Sequence, residues 1–122
     1  MKITINDQRK IHAIQEEFTK VYPYLKLEFF AKPHTANGAT SKKIIKHESK
    51  TLAECRTQHN DGDIILTDMM NVAEVEQRFR DLFGLNVQIL RKSGNMWLET
   101  TKTQSWTLIQ QNKEGESLNL LK

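Results

Sequence analysis

Apolar and polar positions alternate from Met1 to Ile5, with Ile3 and Ile5 on one side, which is the two-residue period of a half-buried strand. Asn6 or Asp7 then stands where a helix cap belongs, because a short side-chain oxygen can accept a hydrogen bond from an orphan N–H of the first turn. Ile11, Ile14, Phe18 and Val21 recur at helical spacing and predict one apolar stripe, which Pro23 brings to an end. From Tyr24 to Lys32 the alternation returns. Leu25, Leu27 and Phe29 face one way, and Tyr24, Lys26, Glu28 and Phe30 the other. Phe30 is the apolar member of that polar face, to be covered by another segment or to form part of a binding surface.

Pro33 to Ser41 reads as a loop around an Asn37-Gly38 turn. Lys42 to Gln58 is less regular. Lys43–Lys46 suits a short edge strand whose lysines discourage edge-to-edge pairing. Thr51 and Glu54 have the spacing of a capping box for a single helical turn through Arg56, with a second short strand as the alternative. After the turn His59-Asn60-Asp61-Gly62, Asp63–Thr67 is a strand. Asn71 and Glu74 repeat the capping spacing ahead of a helix with Val72, Val75, Phe79, Leu82 and Phe83 on its apolar face, and Gly84 is placed to end it. Leu85–Ile89 alternates again, Ser93-Gly94-Asn95 supplies a hairpin turn, and Met96–Thr100 returns. Thr103, Gln104 and Ser105 are candidate caps for a last helix carrying Trp106, Leu108, Ile109 and Asn112. Gly115 should end it, and a tail over 116–122 is expected to fray.

This order, β-α-β, a basic middle, then β-α-β-β-α, predicts an α+β domain spanning residues 1–122, with 33–60 its least determined part. A ferredoxin-like (split βαβ) sheet fits, as does a related antiparallel or mixed sheet with two or three helices on one face.

Composition adds constraints. Of 122 residues, 38% are hydrophobic and 27% charged, with two prolines and five glycines, as in ordinary globular domains. The single cysteine, Cys55, rules out an intrachain disulfide. No apolar run has the length of a signal-peptide core or of the roughly 20 residues that span a membrane, so a cytoplasmic protein without membrane contact is expected. The net charge is +3. Residues 1–61 hold eleven Lys or Arg against seven Asp or Glu, and 62–122 seven against eight. Lys32, Lys42, Lys43, Lys46 and Lys50 stand against Glu48 alone, which predicts a local cationic surface.

Several strings in the second half are distinctive: Asn71-Val72-Ala73-Glu74-Val75-Glu76, Phe83-Gly84-Leu85-Asn86-Val87-Gln88, Arg91 through Thr101 (RKSGNMWLETT), and Trp106-Thr107-Leu108. On these the chain resembles a family of small bacterial proteins of uncharacterised function, over residues 62–115 with a weaker echo in Tyr22–Phe30. The resemblance implies a genuine domain and brings no activity with it.

Candidate chemistry is sparse. Cys55 and His59, four apart, could share a helical face with His47, His34 and Asp61 nearby. Zinc, however, takes about four ligands, and there is one thiol and no Cys-x-x-Cys pair, so no metal is expected. Cys55 with His47 or His59 is the one conceivable thiol–imidazole pair. Its local sequence suits a small buried side chain better, leaving a cysteine-dependent enzyme as the least favoured reading. Glu74 and Glu76 point to different faces of their helix, one as a cap and the other as a solvated charge. The glycines are isolated, so no phosphate loop forms and no cofactor is expected.

The segment Arg91-Lys92-Ser93-Gly94-Asn95-Met96-Trp97 is the most suggestive. Two cations, a polar turn and an indole on one hairpin could grip a partner, and Arg and Trp often anchor interfaces. The alternative is a solvated tip with Trp97 packed under the last helix beside Trp106. The expected function is therefore a non-enzymatic protein-interaction or accessory module, self-associating or binding another protein through a strand edge or the Trp97 hairpin. The second expectation is weak binding of single-stranded nucleic acid, through Arg91, Lys92 and the Lys42, Lys43 and Lys46 cluster, with Phe30 and Tyr24 as stacking faces. Arg91, Lys92, Asn95, Trp97, Phe30, Lys42, Lys43 and Lys46 are the candidate binding residues.

Overall fold

A computed structural model describes residues 1–30 and 50–120, so the turn expected at Asn37-Gly38 and the strand expected at Lys43–Lys46 lie outside the described residues. The elements run β1 (Lys2–Ile5), α1 (Ile11–Val21), β2 (Leu25–Phe30), α2 (Leu52–Cys55), β3 (Gly62–Ile65), α3 (Val72–Phe83), β4 (Asn86–Ser93), β5 (Met96–Glu99) and α4 (Leu108–Leu120), with a 3-10 turn over Thr101–Thr103. The protein is α+β.

The described strands pair in two antiparallel sheets, β1 with β3, and β2-β4-β5 in that order. This departs from the ferredoxin-like expectation. A split-βαβ sheet keeps β2 and β4 at opposite edges, whereas here they are neighbours from Leu25↔Arg91 to Phe30↔Asn86. Face matching supplies the reason. Leu27 and Phe29 come opposite Ile89 and Val87, which joins two apolar faces into one, and Ile3 comes opposite Ile64 in the smaller sheet. These side chains form a single buried cluster with Ile14 and Phe18 of α1, Val75 and Phe79 of α3, and Leu108 of α4. The Phe29 and Phe79 rings meet edge to face, centroids 6.5 Å apart.

Helix starts follow the capping chemistry, though not always at the expected residue. At α3 the Asn71 Oδ1 accepts from the Glu74 N–H at 2.8 Å, and Gly84 closes the helix with φ +63°. At α2 the Thr51 N–H donates to the Glu54 carboxylate at 2.8 Å. Neither Asn6 nor Asp7 caps α1. Lys10 holds that position without a side-chain cap, and the Ile11 N–H donates instead to the Lys50 carbonyl at 2.9 Å. An isolated bridge between Lys10 and Thr51 brings that carbonyl into place. Val21, the last residue of α1, is exposed rather than on the buried stripe.

The last helix begins later and runs further than expected. Its first turn is held by Thr107, whose Oγ1 accepts from the Gln110 N–H at 3.2 Å while Gln110 Oε1 accepts from the Thr107 N–H at 2.8 Å. This is a reciprocal capping box. Gly115 lies inside the helix, which continues through Leu120 instead of fraying from 116. Glycine is needed there for closeness: a Cβ at 115 would stand 2.7 Å from the Cβ of Tyr24 and 3.3 Å from the Cγ of Arg91.

Candidate interaction site

The β4–β5 hairpin turns on Gly94 and Asn95. Gly94 has φ +63° and no other type of residue has a positive φ among those described, the pattern of a two-residue primed turn. Strand pairing then divides the candidate residues between two faces. Partners across an antiparallel ladder share a face, so Lys26, Lys92 and Trp97 lie on one side. Leu25, Arg91 and Leu98 lie on the other, the side on which α4 packs.

Trp97 therefore does not pack under α4 beside Trp106. Its half-buried indole lies beneath Lys26, with the ammonium nitrogen 5.8 Å from the ring centroid, and Lys92 is its direct cross-strand partner. Arg91 is separated from Lys92 and committed to the fold. Its guanidinium sits 5.6 Å from the Trp106 ring centroid and donates to Gln111 Oε1 at 2.8 Å. Phe30 is also removed from the binding surface. It is 2% exposed, and Gln88 and Leu90 on the same face are buried as well. Asn95 is exposed at the tip, and Lys42, Lys43 and Lys46 lie outside the described residues.

What the hairpin presents instead is an edge. Among the described residues β5 pairs on one side only, with β4. Its Met96 and Leu98 are 65% and 38% exposed on the α4 side, two apolar side chains in alternate positions of one edge strand. Native sheets usually blunt such edges with lysine or proline; β5 reads Met-Trp-Leu-Glu and has neither.

A buried polar seam holds the hairpin in place. Where β5 leaves the sheet after Glu99, the backbone of Ile89 is taken over by side chains. Glu76 accepts from its N–H at 3.1 Å and Thr100 Oγ1 donates to its carbonyl at 2.7 Å. Gln104 donates to the other oxygen of Glu76 at 3.3 Å. Gln111, fully buried, donates to the carbonyl and hydroxyl of Thr103 at 2.9 and 2.7 Å while accepting from Arg91. Glu76 is thus a buried acceptor and not a solvated charge. The signal was present in the spacing, since Val72, Val75, Glu76, Phe79 and Phe83 fall on one helical face.

Cys55 and His59 are kept apart, while His34 and His47 lie outside the described residues. Helix α2 ends at Cys55 and Arg56 is extended, so Cys55 and His59 do not share a helical face. The Cys55 thiol donates to the Thr51 carbonyl at 3.2 Å. Burial pushes its pKa up, aided by Glu54, with Lys50 opposing; this is the reverse of what a nucleophile needs. His59 Nδ1 is 2.7 Å from Asp7 Oδ2, and Asp7 Oδ1 accepts from Arg56 Nη2 at 2.8 Å and Nε at 3.1 Å. Arg56 also donates to the Phe83 carbonyl at 2.9 Å, which ties the β1–α1 turn to the end of α3. Its neighbours hold the Asp7 carboxyl below its ordinary value, the Arg56 hydrogen bond first. Among the described residues no three His, Cys, Asp or Glu side chains are grouped to hold a metal ion. Surface hollows of about 310 Å3 at Trp106, Gln110, Lys113, Glu114 and Ser117, and about 390 Å3 at Glu74, Gln77, Arg78, Asp81 and Leu82, include no histidine or cysteine. No described helix is long and apolar enough to cross a membrane.

Comparison of the chain with known protein families, with curated proteins and with solved structures gave no match.

Proposed function

We propose that this protein is a non-enzymatic interaction module that engages another polypeptide along the edge of β5. The observation that carries this reading is the pair Met96 and Leu98, exposed in alternate positions of a strand that pairs on one side only among the described residues. An extended partner added to such an edge gains main-chain hydrogen bonds from the strand and specificity from the alternate side chains. The seam of Glu76, Thr100, Gln104 and Gln111 supports the reading by holding the edge in one conformation, which lowers the entropy lost on docking.

A photo-crosslinking residue placed at Met96 tests it in the native cells. A polypeptide adduct should form there, fail to form from position 113 on the outer side of α4, and disappear when Leu98 is also changed to Lys. Equal labelling from 96 and 113, or no polypeptide adduct at all, would reject the reading.

One observation favours a second function, the binding of single-stranded nucleic acid. Trp97, Lys26 and Lys92 share one face, an indole with two cations at its side. Stacking with phosphate neutralisation requires that combination. Binding of a single-stranded oligonucleotide by this route weakens steeply with added salt and is lost in Trp97→Ala; an oligonucleotide that fails to bind at low salt eliminates it.

A further inference from the structure

We infer that the chain is two copies of one β-α-β-α unit, and that the partner each half fits is the other half, held about a two-fold axis as the subunits of a homodimer are.

The correspondence begins in the helices. One constant shift in residue number lays Ile11, Ile14 and Phe18 of α1, and Tyr22 just after it, on Val72, Val75, Phe79 and Phe83 of α3. All eight are buried. The same shift lays Val21, 48% exposed, on Leu82, 49% exposed, and lays the buried Ile3 and Ile5 on the buried Ile64 and Leu66. The joint after the helix holds Pro23 and Tyr24 in one half and Gly84 alone in the other. Beyond it Leu25, Leu27, Phe29 and Phe30 fall on Leu85, Val87, Ile89 and Leu90, again buried in both halves.

Main-chain bonds repeat in the same way. Lys10 bridges Thr51 and Asn71 bridges Thr107, each bridge joining the starts of two helices within one half. At the first bridge the N–H groups of Ile11, Leu52 and Ala53 donate to the carbonyls of Lys50, Arg9 and Asp7. At the second, those of Val72, Leu108 and Ile109 donate to Trp106, Met70 and Asp68. Every donor and acceptor of the first set has its counterpart in the second, and all six N–H groups belong to first turns, which have no acceptor inside the helix. The Thr51–Glu54 and Thr107–Gln110 boxes coincide as well.

Strand register supplies the axis. A two-fold perpendicular to an antiparallel ladder passes through a pair of opposite residues, so one residue must face its own counterpart. Ile3 faces Ile64 in the smaller sheet, and Glu28 faces Gln88 in the larger. Both are counterparts under the alignment above. One axis through the two pairs exchanges β1 with β3, β2 with β4 and α1 with α3. The ladders, with the bonds from Tyr22 to Asp68 and from Arg56 to the Phe83 carbonyl, then form the surface between the halves.

A helix exchange in the full chain tests the equivalence. The sequence of residues 11–22 is exchanged with that of 72–83, leaving Glu17 with its partner Arg9, and Arg78, in place. This chain should unfold in one cooperative urea transition and keep its near-UV circular dichroism. The same exchange displaced by one residue turns each apolar face by about 100° and should give no folded protein. A matched exchange no more stable than the displaced one overturns the inference. A second variant carries a protease site between the exposed Gln58 and His59 and is cut after folding. Its two pieces should remain one equimolar species on gel filtration. After unfolding in urea they should recover the same spectrum at a rate that rises with concentration, as subunits do. Pieces that separate on cutting, or a recovery rate indifferent to concentration, also overturn it.

Discussion

Arg56 has no exposed side-chain surface, and its charge is tolerable there because Asp7 and the Phe83 carbonyl accept from it. The carboxylate gains too, and stability should record the gain as a function of pH. The folded-state pKa of Asp7 lies below its ordinary 3.8, so on acidification the unfolded chain takes up this proton first. The contribution is complete above that value and is lost as pH falls through the folded-state pKa. Asp7→Asn should lower the urea midpoint at neutral pH, and the gap to wild type should close below about pH 4. Tyr22 works with the opposite sign. Burial, then its bond to Asp68 at 2.7 Å, raises its pKa, so its contribution is present below about pH 10 and fades as pH rises beyond it. Tyr22→Phe should remove that alkaline loss, measured by the same midpoints. Neither pairing was legible in the sequence, because Asp7 and Arg56 are joined by the fold across 49 positions. Glu76 differs: it sat on a readable apolar stripe, and only its charge argued for placing it in solvent.

Elements were legible wherever the cause was local. The Asn71–Glu74 and Thr51–Glu54 boxes, the Gly84 stop and the Gly94 turn all lie where their residue chemistry puts them. The start of α4 was equally local, since Thr107 and Gln110 have capping-box spacing. Gly115 is ambiguous in the sequence because two different requirements call for the same residue: a helix end wants glycine for its left-handed conformation, and a helix crossing wants it for lack of a side chain. Gly115→Ala separates them. Helix propensity alone favours Ala by about 1 kcal/mol, whereas the clash with Tyr24 costs about 1–3 kcal/mol. A net loss of about 1 kcal/mol in chemical denaturation is expected; a gain would show that α4 can move off β2. The hairpin anchor gives a second measure. Thr100→Val keeps the shape and strips the donor from the buried Ile89 carbonyl, which should cost about 1–2 kcal/mol by the same assay.

For the whole molecule, the strands and helices expected over the described residues were largely found, while the sheet that joins them was not. Strand pairing is settled by which distant apolar faces fit. The alternation of Leu25–Phe29 and of Val87–Ile89 announces a face without naming its partner. The two sheets share one apolar cluster, so they should unfold together. Ile64→Val in one sheet and Ile89→Val in the other should each cost about 1 kcal/mol and displace a single transition, coincident by near- and far-UV circular dichroism. Separate melts would divide the molecule into two units. The bond from Ile89 to Glu76 reaches further than stability. A helix carboxylate that grips one particular amide of β4 fixes the count of residues between them, and a strand moved by one position would offer it a blank side. A residue inserted between Gly84 and Asn86 would therefore have to be rejected or bulged out, while one inserted at Gly94-Asn95 would only lengthen a loop. Over generations, changes in chain length should collect at the hairpin tip and spare the α3–β4 joint.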